Sequence, residues 1–302
     1  MKVKTRMITM NADAYMEIGS SHKICEDYAL AGTFEDVGYA IVCDGCSSSQ
    51  YTDVGARILA HLTKDALIYL QQRKLLYDKT FVKVDFKNIL FEILIKKCLE
   101  VKDALRLNPE AFDATLLLAL AVGGHTRALL GRGDGFFIVR RADGSTHTVS
   151  HTYSSNAPFY LSYDMYFERR QAYEAQFGRD PVVYEEITDP QDEEKEKAAR
   201  KENLRWYQSI TNINILEDQE GESPVTQLIV STDGLSSYEL EAGGTHTGED
   251  RQFTARDIIP SVVAYKNTVG EFVIRRMRRF SEECRKDHII HQDDVSCAAI
   301  NL

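Results

Sequence analysis

Acidic residues recur in this sequence at the ends of apolar runs. Ile41-Val42-Cys43 leads into Asp44-Gly45, Ile229-Val230-Ser231-Thr232 into Asp233-Gly234, and Leu129-Leu130-Gly131-Arg132 into Gly133-Asp134-Gly135. Glu26-Asp27 stands just before the run opening at Tyr28, and Asp293-Asp294 just before the run opening at Val295. One Asp-Gly alone is ordinary β-turn chemistry, since both residues favour turns. Five acidic sites, each at the end of an apolar run, form a pattern that turns do not require. Carboxylates delivered together by several strands suit hard cations such as Mg²⁺ or Mn²⁺, which take carboxylate, carbonyl and water oxygens. A glycine after the carboxylate lets the backbone turn tightly and exposes its carbonyl.

Convergence of these residues requires strands that end on one side. Arg6 to Thr9 and Tyr28 to Thr33 alternate in the β manner. Val37 to Cys43 is nearly all apolar, as a strand covered on both faces must be. Thr52 and Asp53 are good N-cap residues for a helix carrying Ala56, Leu59, Leu62, Ala66, Leu67 and Leu70 at helical spacing. A second helix is expected from about Phe86 to Leu107. Phe112 to Val122 reads as an apolar strand, followed by hairpins through Thr126 to Leu130, Phe136 to Arg140 and Thr146 to Val149. Strand Thr226 to Ser231, helices near Thr254 to Tyr265 and Gly270 to Lys286, and a closing strand Val295 to Ile300 complete the series. Runs of strands and runs of helices indicate an α+β plan, not alternating βαβ units.

Residues 151–221 differ in character. They hold Tyr153, Tyr160, Tyr163, Tyr166, Tyr173 and Tyr184, and interleaved charges from Asp189 to Glu202. Lys195 to Trp206 fits a solvated helix held by i,i+4 pairs. The segment reads as a flap inserted in one domain spanning 1–302. Its aromatic residues either dock substrate or pack the flap onto the core.

Thirty-six basic residues against 46 acidic ones give a net charge of −10, which repels phosphate backbones and excludes duplex nucleic acid as the main partner. No apolar run approaches the roughly 20 residues that cross a bilayer, and no apolar h-region follows Lys2 and Lys4. The expectation is a cytoplasmic protein without a membrane partner. The six cysteines do not form a disulfide framework and are expected as free thiols. Cys43-x-x-Cys46 near Cys25 and His22 is a weak zinc signature, because structural zinc sites show paired ligand spacings. Gly131-x-Gly133-x-Gly135 is not a nucleotide loop: no helix follows, and Asp134 repels phosphate. Arg57 and Arg132 suit surface or packing roles better than phosphate contact.

Taken in order, Glu26-Asp27, Val42-Cys43-Asp44-Gly45, Ala114-Thr115-Leu116-Leu117, Gly133-Asp134, Asp233-Gly234 and Asp293-Asp294-Val295-Ser296 resemble the metal-dependent protein serine/threonine phosphatases of the type 2C class. Ser49 to Arg57 is similar to a stretch of the divergent bacterial branch. The resemblance implies an α+β, four-layer α-β-β-α sandwich with two mainly antiparallel sheets and a metal cleft at one end. It implies hydrolysis of phosphoserine and phosphothreonine by a water that two Mg²⁺ or Mn²⁺ ions activate for in-line attack. Asp44 would bridge the ions, Gly45 and Glu26 would serve one, Asp233 and Asp293 the other, and Asp27 would hold bound water. Asp134 would serve a weaker third ion, for which Ser237 stands where many relatives have aspartate. Where relatives grip phosphate with arginine this chain has His22, with Lys23 beside it. His22 would donate a hydrogen bond or act as general acid, without the bidentate fork of arginine. The implied partners are a phosphoprotein substrate and an opposing Ser/Thr kinase. The same residues leave two alternatives: a pseudophosphatase serving as a binding module, and a hydrolase of small phosphoesters.

Overall fold

The computed structural model describes residues 10–123, 126–153, 155–178, 182–187, 214–215, 223–241 and 252–302, the side chains of 182–187 and 214–215 excepted. In chain order its first half holds strands β1 Asn11–Glu17, β2 Tyr28–Phe34 and β3 Val37–Cys43, then helices α1 Thr52–Gln72, α2 Lys79–Val84 and α3 Phe86–Leu105. Strands β4 Leu116–Val122, β5 Thr126–Arg132, β6 Gly135–Arg141 and β7 Thr146–Tyr153 form the meander. Helix α4 Phe167–Phe177 and strands β8 Val182–Ile187 and β9 Asn214–Ile215 come next, then β10 Val225–Ser231 and β11 Tyr238–Leu240. Helices α5 Ala255–Val262 and α6 Phe272–Lys286 precede β12 Ile289–His291 and β13 Val295–Asn301.

The strands form two antiparallel sheets, ordered β1-β13-β10-β6-β7-β8 and β2-β3-β4-β5-β9, with β11 and β12 as a separate pair. Side-chain alternation along each strand divides the apolar residues among three layers. Ile41, Cys43, Leu116, Leu118 and Leu120 face α1 and α3. Ala40, Val42, Leu117, Ala119 and Ala121 face the other sheet, where they meet Phe137, Val139, Leu228, Val230, Ala298 and Ile300. Ile138, Ile229, Cys297 and Ala299 point the other way, onto α5 and α6. The result is the expected α-β-β-α sandwich. It also explains why β3 and β4 are apolar at every position: both of their faces are covered.

Local departures from expectation have physical causes. The stretch Arg6 to Thr9 lies outside the described residues, and the first described strand is β1. Thr52 and Asp53 do not cap α1; Tyr51 occupies that position in the left-handed region (φ 63°) with no side-chain cap. A missing cap costs about 1 kcal/mol, whereas Leu59, Leu67 and Leu70, each 1% exposed or less, contribute about 1.5–3 kcal/mol apiece by burial. Packing therefore holds the helix, and the Thr52 hydroxyl is released for another task. Helix α3 stops at Leu105 because Arg106 turns left-handed (φ 56°) at its end. Strand β4 starts at Leu116, not Phe112, because Pro109–Phe112 forms a 3₁₀ turn and 113–115 bond to residues 44–46 instead.

The 151–221 segment extends both sheets: β8 pairs with β7, and β9 with β5. Leu161 and Met165 enter the core beneath α3, and Tyr153, Phe159 and Tyr173 form a small aromatic core of their own. The charged run Asp189 to Glu202 and the expected helix Lys195 to Trp206 lie outside the described residues, as does the Tyr184 side chain.

Candidate active site

Strand register brings the acidic ends together. Tyr28 pairs with Cys43, which sets Asp27 beside Asp44. Leu116 pairs with Arg132, so the turn holding Asp134 sits next to Thr115. Ser231 pairs with both Phe136 and Cys297, which places Asp233 between Asp134 and the Asp293-Asp294 pair. Glu17 pairs with Val295, so the loop from Gly19 to Glu26 lies over that pair. Both sheets thus deliver carboxylates at the same end of the sandwich.

The loops that carry them are fixed by backbone bonds. Asp44 N donates to Thr115 Oγ1 (2.8 Å), and Thr115 N returns a bond to Asp44 O (2.7 Å). Gly45 N donates to Glu26 O (3.2 Å) and bridges Ala114 across the strands. Asp233-Gly234 opens a 3₁₀ turn, Asp233–Ser236, not the β-turn its sequence suggests. Glycine is needed at 45 and 234 for closeness: a Cβ on Gly45 would meet Thr52, and one on Gly234 would collide with the Asp294 carbonyl. The Asp-Gly pairs therefore record tight loop packing, since neither glycine needs a positive φ.

Charge crowds this end. Burial first, then the charges of Asp27, Asp233, Asp134 and Asp293, push the Asp44 carboxyl well above the usual carboxylate range. Burial, against the hydrogen bond from Thr232, raises Asp27 to about 8. Burial and Asp233 raise Asp134 to about 7, and burial and Asp293 raise Asp233 to about 6. Glu26 also rises through burial, although Thr52 Oγ1 donates to its Oε1 at 2.9 Å. Thr232 Oγ1 donates to Asp27 Oδ2 (2.8 Å), while buried Asp27 Oδ1 has no hydrogen-bond partner.

Such crowding calls for positive charge. Among the described residues no three His, Cys, Asp or Glu side chains close into a ready-made metal cage. The carboxylates are instead close enough to raise one another's pKa, and backbone carbonyls and water would complete any coordination. An all-oxygen donor set, mutual repulsion and the orphaned Asp27 Oδ1 together fit hard divalent cations.

The His22 ring lies against the Asp293-Asp294 pair, with Nδ1 3.1 Å from Asp294 Oδ2 and Nε2 3.5 Å from Asp293 Oδ1. Burial alone would lower its pKa; the Asp294, Asp293 and Glu26 carboxylates outweigh burial and raise it. Lys23 is exposed. Ser237 Oγ donates to Gly234 O (2.8 Å) and accepts from Asp293 N (3.2 Å), which uses it inside the loop.

Three supporting residues escaped the sequence reading. Asp294 is buried and accepts from Gly19 N (2.7 Å) and Glu26 N (2.6 Å), pinning the loop that bears His22 and Glu26. Thr52 holds Glu26. Asp113, 4% exposed, accepts hydrogen bonds from Ser49, Ser162 and Arg169 beside the Asp44-Gly45 loop. Asp294 left a signal as half of the Asp293-Asp294 pair, and Asp113 as a charge inside an apolar run; their partners left none.

Other candidates resolve into packing. The Arg132 guanidinium lies between the Phe91 and Phe159 rings (5.0 and 4.9 Å) and bonds Asp164 (3.1 Å). Arg57 lies over the Tyr28 ring at 5.1 Å. All six cysteines are free. Burial pushes the Cys43 thiol far up and, with Asp294 and Asp27, the Cys25 thiol to about 12, which makes neither a ready thiolate. No described helix is long and apolar enough to cross a membrane.

No curated protein matches the sequence. Among solved structures, a single-site variant of a bacterial serine phosphatase is similar at 11% identity, with 98% of this chain and 99% of that chain covered and a TM-score of 0.54. The S. agalactiae serine/threonine phosphatase is similar at 12% identity, 97% and 100% coverage and a TM-score of 0.51. Serine/threonine phosphatase Stp1 from Staphylococcus aureus gives 12% identity, 98% and 96% coverage and a TM-score of 0.51. At these identities the likeness concerns the fold. The sequence itself matches the description of protein phosphatase 2C over residues 19–279, which include Glu26-Asp27, Asp44-Gly45, Asp134 and Asp233-Gly234, so the chain belongs to the protein phosphatase 2C family.

Proposed function

We propose that this chain is a metal-dependent protein serine/threonine phosphatase acting on phosphoserine and phosphothreonine in a phosphoprotein, opposite a Ser/Thr kinase. One observation carries the reading: in a fold of the protein phosphatase 2C family, both sheets end in mutually repelling carboxylates at one cleft. Asp44, the Gly45 carbonyl, Glu26, Asp233 and Asp293 would hold two Mg²⁺ or Mn²⁺ ions, with Asp134 available to a weaker third. Bound there, the ions supply Lewis acidity and lower the pKa of attacking water.

The chain's own groups do the rest. Asp27, held through Oδ2 by Thr232, offers Oδ1 to orient water at the cleft floor. His22, whose pKa the Asp294 and Asp293 carboxylates raise, donates one hydrogen bond to a phosphoryl oxygen or, when protonated, a proton to the departing serine or threonine oxygen. The Thr115 and Asp294 clamps hold Asp44 and Glu26 still, so no reorganisation accompanies the chemistry. The 151–221 segment serves as a flap of a single domain, with its described part flanking the cleft.

Hydrolysis of an aryl phosphate and of a phosphothreonine peptide with added Mn²⁺, with Asp44→Asn as control, tests this. Metal-dependent turnover of the peptide, lost in the variant, is expected. Turnover of the aryl phosphate alone points to a small-molecule hydrolase, and metal binding without turnover to a binding module; failure to bind metal removes the constellation itself.

A further inference from the structure

The described part of the 151–221 segment reaches the Asp44-Gly45 loop through one buried carboxylate. Arg169 on α4 sets a single nitrogen, Nη2, 3.0 Å from both oxygens of Asp113, and its guanidinium lies 4.9 Å from the Tyr163 ring centre. Ser162 Oγ donates to Asp113 Oδ1, and Ser49 Oγ to Oδ2 (3.0 Å). The Asp113 backbone faces the opposite way: its carbonyl accepts from Cys46 N (2.8 Å), Ala114 bridges Gly45, and Thr115 locks Asp44 from both sides. A continuous path thus runs from α4 through Asp113 to the residue proposed to bridge the ions.

We infer that Arg169 is a positioning residue: through the Asp113 carboxylate, it sets the Asp44-Gly45 loop and thereby the affinity of the cleft for divalent metal. The physical reason is asymmetry. Asp113 is a buried charge, and without Arg169 two neutral hydroxyls must hold it, so the carboxylate seeks water and pulls 113–115 out of register with 44–46. The inference rests on the metal-dependent reading above and adds that residues 155–178 are part of the metal site's support.

Calorimetric Mn²⁺ titration of the full chain tests it, together with amide exchange of the metal-free protein. Arg169→Met keeps the aliphatic stem and removes the charge. Its Mn²⁺ affinity should fall at least tenfold, the usual scale for residues that orient metal ligands. Exchange at the Cys46 and Thr115 amides should quicken, Arg169→Lys should recover part of the affinity, and Asp113→Asn with Arg169→Met should be no weaker than Arg169→Met alone. Unchanged affinity with only a lowered melting temperature overturns the inference, as do additive losses in the double variant. Should Arg169→Met fail to fold, Ser49→Ala and Ser162→Ala probe the same carboxylate, and unchanged Mn²⁺ affinity in both overturns it. Wild-type protein that binds no Mn²⁺ refutes the metal-dependent reading itself, a result distinct from equal binding by wild type and variant.

Discussion

Replacing Gly45 with alanine isolates the effect of half an ångström at the cleft. The new Cβ would lie 2.8 Å from Thr52 Cβ and 2.9 Å from the Thr52 carbonyl carbon and oxygen, where ordinary contact begins at 3.4 Å. Opening that gap takes about 0.5 Å of movement, and overpacking of this kind costs about 1–3 kcal/mol. Helix α1 cannot supply the movement, because Gly55 in its first turn already abuts the Ala111 backbone. The Asp44-Gly45 loop must therefore move. If a 1 Å misplacement costs about a hundredfold in rate, half of that costs about tenfold. The assay is Mn²⁺-dependent kcat/KM on a phosphothreonine peptide beside urea unfolding, with Gly144→Ala as the comparison. Gly144 has open space around it but a φ of +89°, so alanine there loses about 1–2 kcal/mol of stability to backbone strain and leaves activity intact. Wild-type kcat/KM in Gly45→Ala, or equal activity losses in both variants, would refute the reasoning.

Further outcomes follow from the charges at the cleft. Asp294→Ala removes the acceptor of two backbone N–H bonds, each worth about 1.5–3 kcal/mol to a charged partner. Its unfolding free energy should drop by about 3 kcal/mol or more in urea titrations, and a drop below about 1 kcal/mol contradicts the assigned role. In metal-free protein Asp27, Asp134 and Asp233 have pKa values raised to about 8, 7 and 6 from 3.8, so the folded chain binds more protons than the unfolded one. Their ionisation therefore subtracts stability as pH climbs from about 4 to about 8. With chelator present the protein should melt higher at pH 6 than at pH 8, and Mn²⁺ should shrink the difference; a flat or inverted profile in chelator counts against the crowding.

The α+β plan was legible because the central strands are almost wholly apolar, and their ends because aspartate cannot continue such a run; the sandwich itself followed from the family resemblance. Glu26, Asp44, Asp134, Asp233 and Asp293 stand at run ends in the sequence, and strand register brings those ends to one side of the sandwich. What escaped was the support. Asp294 meets Gly19 and Glu26, and Asp113 meets Arg169, only after the chain has folded, and contacts between residues so far apart in sequence leave no periodic trace. Thr52 was misread for a related reason: a threonine before a helical run suits a cap, and only the nearby Glu26 carboxylate redirects its hydroxyl. Glycines 45 and 234 were read as turn makers, because sequence cannot distinguish a glycine that needs a positive φ from one that another backbone presses against.

The pairing of β1 with β13 has a consequence for the order of assembly. Asn11 lies opposite Asn301, and β13 also separates β1 from β10. During synthesis β2 and β3 can pair early, yet β1 has no neighbour in its own sheet until β13 emerges. Non-local pairings of this kind form slowly, because loop closure must precede any gain from contact. Asp293 and Asp294 arrive with that strand, and Asp294 then fixes the loop holding Glu26. A nascent chain therefore carries Asp27, Asp44, Asp134 and Asp233 before the Asp294 clamp that fixes the Glu26 loop.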